Sequence, residues 1–258
     1  MNATVRLIAK PSICWSAVRE LTNSIGADWK RSPDTTEAEE LVELSGRICY
    51  MSFGSRQSPR SNREYIRNLI DQGHESVLEH AVWTFELSGV TRAFTHQLVR
   101  HRVGFSFSQL SQQYVSHEEF EMLAPIDLAE HPGVSSAWTK ARDVLHAAYR
   151  SIRDTLEDEI PREQFGSEKE RQRFINSVAR QVLPGAVSTR VMVTANARAI
   201  RHFLKLRGAI EGDREMRDVS TALLKIMKAE ATALFEDFEV VTLPDGLPAV
   251  VMRATEQP

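Results

Sequence analysis

Cysteine is scarce in this chain: Cys14 and Cys49 are the only two in 258 residues. Two thiols cannot build a disulfide framework, and they point to reduced side chains in a cytoplasmic protein. Neither sits in a setting that would mark an activated nucleophile. Long apolar runs are also missing, so no segment is expected to span a membrane. Met1 to Pro11 lacks an apolar signal core and a cleavage site. A formal net charge of −3 argues against a general polyanion binder. There is no Walker-type loop and no Gly-x-Gly-x-x-Gly run. Internal repeats and low-complexity tracts are lacking too. What remains is an ordinary globular composition, 42% hydrophobic and 26% charged, with ample chain for a core.

No long linker divides the chain, which reads as one helix-rich mixed domain over residues 1–258 with a modest sheet. Val5–Ala9 is a short strand candidate, and Asp28–Glu37 reads as an exposed loop around Pro33. Ala38–Tyr50 places Leu41, Leu44, Ile48 and Cys49 at helical spacing, so Cys49 is expected on a buried face. Asn62–Gln72 is a second helix, with Asn62 as N-cap and Gly73 at C′. Ala81–Leu87 alternates like a strand. Thr91–Arg102 reads as a helix, followed by a polar loop. Ala137–Glu157 is a long charged helix that Pro161 ends. Glu168–Leu183 is a helix stopped by Pro184-Gly185, and Val187–Ala195 is a β-branched strand. Asn196–Arg207 is a helix with Ala199, Ile200, Phe203 and Leu206 inward. Arg214–Phe235 is another.

Three clusters could carry chemistry. In His74-Glu75-Ser76-Val77-Leu78-Glu79-His80 the histidines stand about 240° apart on a helix, which is wrong for a zinc-protease site. No metal is expected. Arg100-His101-Arg102, followed by Ser106, Ser108, Gln109, Ser111 and Gln113, suits a phosphorylated ligand. Guanidinium forks grip phosphate oxygens, and hydroxyls and amides match uracil-like or flavin-like ring edges. The same residues also suit a solvated helix end and a polar loop. In the third cluster Asn196, Ile200, Phe203 and Arg207 share one helical stripe, polar at both ends, which fits a bound nucleotide or a basic amphipathic helix.

Taken together the clusters resemble the flavin-dependent thymidylate synthases, usually called ThyX. The resemblance runs through Gly73–His80, Thr95–Arg102, Phe105–Tyr114, Arg180–Pro184, Thr194–Arg207 and Asp237–Val240, in the family's order. It implies an α+β fold with a central, largely antiparallel sheet. It implies reductive methylation of uridylate at C5 with FAD, NADPH as reductant and methylenetetrahydrofolate as carbon donor. Hydride from reduced flavin replaces a cysteine nucleophile. It also implies a homotetramer with active sites built at subunit interfaces, and no nucleic-acid or membrane partner. By position, Ser76, Arg100, His101, Arg102, Ser108, Asn196, Arg198 and His202 match flavin-contacting places. Gln97, Gln109, Ser111, Gln113, Arg180 and Arg207 match nucleotide-contacting places, with Arg207 and Ser111 in the catalytic positions.

Three departures stand out. Eight residues, Val103 to Leu110, separate Arg-His-Arg from Ser111 where the family has seven; Gly104 is placed to absorb the extra one. Gln113 stands where arginine is usual, and Glu211-Gly212 where His-Ala is usual. The substrate is therefore dUMP or, if the loop admits a 2′-hydroxyl, UMP or a related uridylate. Two other classes stay open: a flavoprotein of this fold with weak or lost methylation, acting as an NADPH oxidase or a regulatory homologue, and a nucleic-acid-binding module using Arg100, Arg102, Arg198, Arg201 and Arg207.

Overall fold

A computed structural model describes residues 3–57, 61–124 and 127–253. The chain is α+β, helix-rich, with a mainly antiparallel four-stranded sheet. In chain order the elements are β1 (Thr4–Ala9), α1 (Trp15–Ser24), α2 (Glu37–Tyr50), α3 (Asn62–Asp71), β2 (Val82–Thr91), α4 (Arg92–Leu98), β3 (Phe105–Gln109), α5 (Pro132–Glu159), α6 (Glu168–Ala179), β4 (Ser188–Asn196), α7 (Ala197–Arg207), α8 (Arg214–Glu230), α9 (Thr232–Phe235), β5 (Phe238–Thr242) and β6 (Pro248–Met252). The sheet order is β1-β2-β4-β3, and β5 and β6 pair as an antiparallel hairpin. The chain divides into two compact units. The first holds residues 1–4, 87–100 and 108–192, the second 5–86, 101–107 and 193–258.

The helix starts follow from local chemistry. Thr36 and Ser61 each accept from the backbone N–H three residues on, and Glu39 and Glu64 reach back to close capping boxes. Ser167, Asn196 and Asp213 cap α6, α7 and α8 in the simpler way. Pro132 opens α5 in its first turn, where a missing N–H costs nothing.

In the first unit α5 packs on α6. Phe120, Tyr149, Ala179 and Val187 form a buried cluster flanked by Leu145, Ile152, Val182 and Leu183. The 115–120 segment is pinned to α5 by polar contacts. The Tyr149 hydroxyl accepts from the His117 N–H at 3.0 Å, and Arg153 reaches Ser116 and Glu118. The His146 ring stacks on Phe120 with centroids 3.9 Å apart.

The second unit buries Trp83, Ile200, Phe203, Phe235 and Phe238. It also buries ion pairs. Glu43 takes Arg47 Nε at 2.6 Å and Asn62 Nδ2 at 2.7 Å. Asp237 takes both Nη groups of Arg201 at 2.7 and 2.6 Å. Removing one member of such a pair would strand the other in low dielectric.

Several expectations need correction. Cys49 is exposed, as is Ile48, because α2 turns its Glu39–Glu43–Arg47 stripe inward instead. Ser61, not Asn62, caps α3; Asn62 is buried and bonds Glu43 and the Glu39 carbonyl. Gly73 does take the left-handed conformation after that helix, at φ +70°. β2 runs on to Thr91, and α4 ends at Leu98, so Arg100-His101-Arg102 lies in the chain beyond the helix. The expected polar loop begins as strand β3, whose Phe105 and Phe107 stack on one face at 5.6 Å. α6 ends at Ala179, and Arg180 starts a 3-10 turn. Leu206 is 54% exposed, its inward place taken by Leu204. The helix expected over Arg214–Phe235 breaks at Ala231, where the buried Glu39 carboxylate accepts the Ala233 N–H at 2.7 Å. The β5–β6 hairpin adds two strands beyond those read from the sequence; its turn at Pro244-Asp245-Gly246 carries the usual residues, with Gly246 at φ +75°.

The hairpin also explains Gly208. The Val250 N–H donates to the Gly208 carbonyl at 2.8 Å, and a Cβ on Gly208 would lie 2.5 Å from the Leu204 carbonyl oxygen and 2.6 Å from that of Val250. Both neighbours are backbone, so neither can swing aside. Gly208→Ala should destabilise the protein by about 1–3 kcal/mol, the cost of overpacking. Denaturant unfolding checks this, and an unchanged midpoint would contradict it.

Candidate functional site

Each unit carries its own group of the expected site residues. In the second unit they meet where β4 runs into α7. The Asn196 side chain caps α7 by accepting the Ala199 N–H at 2.8 Å, while its own N–H donates to the Gly104 carbonyl at 3.2 Å. The next residue, Ala197, donates to the Ala81 carbonyl at 2.9 Å. One junction thus ties together the segments that end at Ala81, turn at Gly104 and start at Asn196. Gly104 has φ +74°, and a Cβ there would lie 2.7 Å from Asn196 Nδ2 and 2.8 Å from Ala199 Cβ. Only glycine satisfies both the angle and the space. Val103, beside it, is 86% exposed, so the turn holds its extra residue out in solvent.

From this junction α7 buries Ile200 and Phe203 and brings Arg207 back to the Arg-His-Arg segment. Arg207 Nε donates to His101 Nε2 at 3.1 Å. The His101 ring sits among Phe203, Phe105 and His202, with centroid distances of 5.3, 6.1 and 6.2 Å. Ser76, Arg102 and His202 are exposed, and among the described residues no carboxylate pairs with Arg102. Arg198 is held differently: Glu79 takes it at 2.6 Å and Glu75 lies at 3.5 Å, which pushes its proton affinity up. Arg201 is withdrawn from any surface role by Asp237, which removes one of the five cations a nucleic-acid module would use.

In the first unit Gln97 lies half-buried on α4, and Arg100 and Ser108 are exposed. Gln109 Nε2 donates to the Thr95 hydroxyl at 2.7 Å. Ser111 Oγ accepts the N–H groups of Gln113 and Tyr114 at 3.2 and 3.3 Å. With both lone pairs engaged, Ser111 has its O–H left to donate. Gln113 Nε2 donates to Ser177 Oγ at 2.9 Å, so this amide is tied to α6.

The sequence reading missed Arg92. It opens α4, whose first N–H groups donate to the carbonyls of Val187 and Gly185 at 3.0 and 2.8 Å. Burial, with Arg180 nearby, pulls its proton affinity below that of a free guanidinium. No carboxylate pairs with Arg92 or Arg180 among the described residues. Arg92 Nη1 donates to the Leu110 carbonyl at 3.4 Å, and two neighbouring cations without a carboxylate partner are chemically suited to an anion. The sequence held no signal for this, because what marks the site is a missing partner.

A separate cavity of about 360 Å³ lies along α2 and α3, lined by Arg47, Tyr50, Arg56, Tyr65 and His74 among others. Tyr50 and His74 stack there at 5.9 Å. Among the described residues no cluster of His, Cys, Asp or Glu could hold a metal ion. None of their helices is long and apolar enough to cross a membrane.

Comparison with known proteins gives the family. Residues 33–231 match the family described as thymidylate synthase complementing protein. A protein of Corynebacterium aurimucosum named flavin-dependent thymidylate synthase is 39% identical over 223 residues, covering 86% of this chain and 88% of its own. One of Mycolicibacterium gilvum with the same name is 39% identical over 244 residues, covering 94% and 92%. One of Mycobacterium sp. strain KMS is 41% identical over 223 residues, covering 83% and 86%. The chain belongs to the flavin-dependent thymidylate synthase family.

The Arg92–Arg180 arrangement makes a prediction free of assay chemistry. Arg92→Met removes a half-buried cation near Arg180, so the ligand-free protein should melt at a higher temperature. The same change should weaken binding of a nucleoside monophosphate about 10- to 100-fold, the scale of one charged hydrogen bond. Calorimetry measures both. A lowered Tm together with unchanged affinity would contradict the assignment.

Proposed function

We propose that this chain is a flavin-dependent methyltransferase that converts dUMP to dTMP by reductive methylation at C5. The observation that carries the proposal is that neither Arg92 nor Arg180 has a carboxylate partner among the described residues; beyond the Leu110 carbonyl that Arg92 reaches, both guanidiniums have donors to offer a nucleotide phosphate. Family membership supplies the reaction class. Gln109 and Ser111 follow on the same unit: the Thr95 contact fixes the Gln109 amide nitrogen and leaves its oxygen to accept, and Ser111 has one O–H to give. These two match a uracil edge, which offers both donors and acceptors. Gln97 and Gln113 complete the proposed nucleotide set. Gln113 brings no charge, and Arg92 with Arg180 supplies it instead.

The donor set of the second unit fits FAD. Arg102, with no carboxylate partner among the described residues, suits a pyrophosphate; Arg100, carried by the first unit, is proposed for the flavin on the family resemblance alone. Asn196 keeps its amide nitrogen for a ring carbonyl, because its oxygen caps α7. Ser76, His101 and His202 offer further polar atoms, and Arg198 brings a cation that Glu75 and Glu79 already orient; Ser108, carried by the first unit, is proposed for the flavin on the family resemblance alone. Flavin reduced by NADPH would supply the hydride, with methylenetetrahydrofolate supplying the carbon. Arg207 contributes a fixed positive charge to negative charge developing on the pyrimidine. No cysteine takes part.

The working form we propose is a homotetramer in the cytoplasm, and the exposed Val144, Phe174 and Val178 of α5 and α6 offer apolar surface for association. We also read residues 1–258 as one functional domain, since each unit draws on three separate stretches of chain.

Product analysis tests the reaction. With FAD, NADPH and methylenetetrahydrofolate present, dUMP should be methylated, and UMP offered in competition should stay unchanged. Preferential methylation of UMP would show that the Gly104 turn admits a 2′-hydroxyl. NADPH consumption with neither nucleotide methylated would favour an oxidase. Arg207→Ala should lower the rate by about 10²-fold or more, the scale of a lost electrostatic donor. A folded Arg207→Ala enzyme at the wild-type rate would contradict its role.

A further inference from the structure

Arginine in a protein interior usually leans on a carboxylate, as Arg201 does on Asp237 and Arg47 on Glu43. Arg207 does not. Its Nε donates to an imidazole nitrogen, His101 Nε2, at 3.1 Å. A guanidinium has donors only, so Nε2 must be the acceptor and the ring carries its proton on Nδ1. The ring cannot easily turn away. Phe203, 1% exposed, meets it edge-on at 5.3 Å, and Phe105 and His202 flank it. The two residues lie 106 positions apart in sequence, on segments joined at the Asn196–Gly104 contact.

A carboxylate in place of His101 would orient the guanidinium and also neutralise it. A neutral imidazole orients without neutralising. It engages Nε alone, and the planar fork leaves both Nη groups for other acceptors. No carboxylate pairs with Arg207 among the described residues. We propose that His101 is a positioning residue for Arg207: as an uncharged acceptor it fixes the guanidinium while leaving its full positive charge for the reaction. This rests on the catalytic reading of Arg207 given above, and it shifts the weight of His101 from holding flavin to holding an arginine.

The first test needs no turnover. In the purified protein labelled with ¹⁵N-histidine, long-range correlation spectra should show His101 with a protonated Nδ1 and a bare Nε2. The resonance is assigned by its loss in His101→Gln. A protonated Nε2 would overturn the proposal. The second test is kinetic. Glutamine places an amide oxygen near the same point and can accept from Arg207, whereas leucine cannot. His101→Leu should lower kcat about 10- to 100-fold with the nucleotide KM within about threefold, the pattern of an interaction used in the transition state. His101→Gln should recover most of that loss. Combined with Arg207→Ala, His101→Leu should add almost nothing, since both changes remove one interaction. Losses that multiply would overturn the positioning role and leave the catalytic role of Arg207 intact. Arg207→Ala at the wild-type rate would instead sink the reading on which the inference rests.

Discussion

The hydrogen bond from the Asn196 N–H to the Gly104 carbonyl, with the glycine pressed against Asn196 and Ala199, is the constraint on which the second unit's site depends. It sets where α7 begins. A helix start fixes every position along that helix, so it also fixes where Arg207 ends up three turns later. The same contact anchors the turn after Arg-His-Arg, so His101 and Arg207 are registered against one another from a shared origin. The Ala197 bond to Ala81 draws in the segment that carries Ser76 and Glu79. Three stretches far apart in sequence are thus held by backbone bonds and one cap, with little reliance on long side chains.

Charge is handled in two ways in this molecule. Structural arginines are matched to carboxylates: Arg47 to Glu43, Arg201 to Asp237, and Arg217 to Asp245. Arginines with proposed roles toward ligands are not. Arg92, Arg180 and Arg102 have no carboxylate partner among the described residues, and Arg207 leans on an imidazole nitrogen. Leaving cations uncompensated costs stability and is retained only where an anion is to be received. Arg198, paired with Glu75 and Glu79 on the surface, stands between the two groups.

Much of the helical part was legible in sequence, because caps and apolar spacing are local signals. Thr36 with Glu39 and Pro132 ahead of a long amphipathic run mark their helices without any tertiary information. Where the reading failed, a tertiary partner decided. Ile48 keeps good helical spacing with Leu41 and Leu44 and is exposed all the same, because the buried face follows the Glu43–Arg47 pair, which hydropathy alone cannot favour. Phe105-Ser106-Phe107-Ser108-Gln109 is too short and polar to stand out as a strand, and becomes one by joining the sheet. The break at Ala231 depends on a carboxylate 194 residues away from Ala233. For the candidate site, motif order singled out Arg207, His101 and Asn196, which the structure gathers in the second unit. Arg92 was invisible, and Arg201 looked like a surface cation until its partner Asp237 was seen.

The central claim is that the Gly104–Asn196 junction presents the second unit's proposed flavin-binding residues and Arg207 together. Gly104→Ala tests it most directly. The substitution adds one methyl group, places a Cβ 2.7 Å from Asn196 Nδ2, and forces a left-handed backbone on a residue that disfavours it by about 1–3 kcal/mol. The flavin absorbance of the purified variant is the measurement, with circular dichroism to establish that it is folded. The account predicts a folded protein that has lost its flavin and its methylation together. A folded Gly104→Ala protein with wild-type flavin content and rate would contradict it.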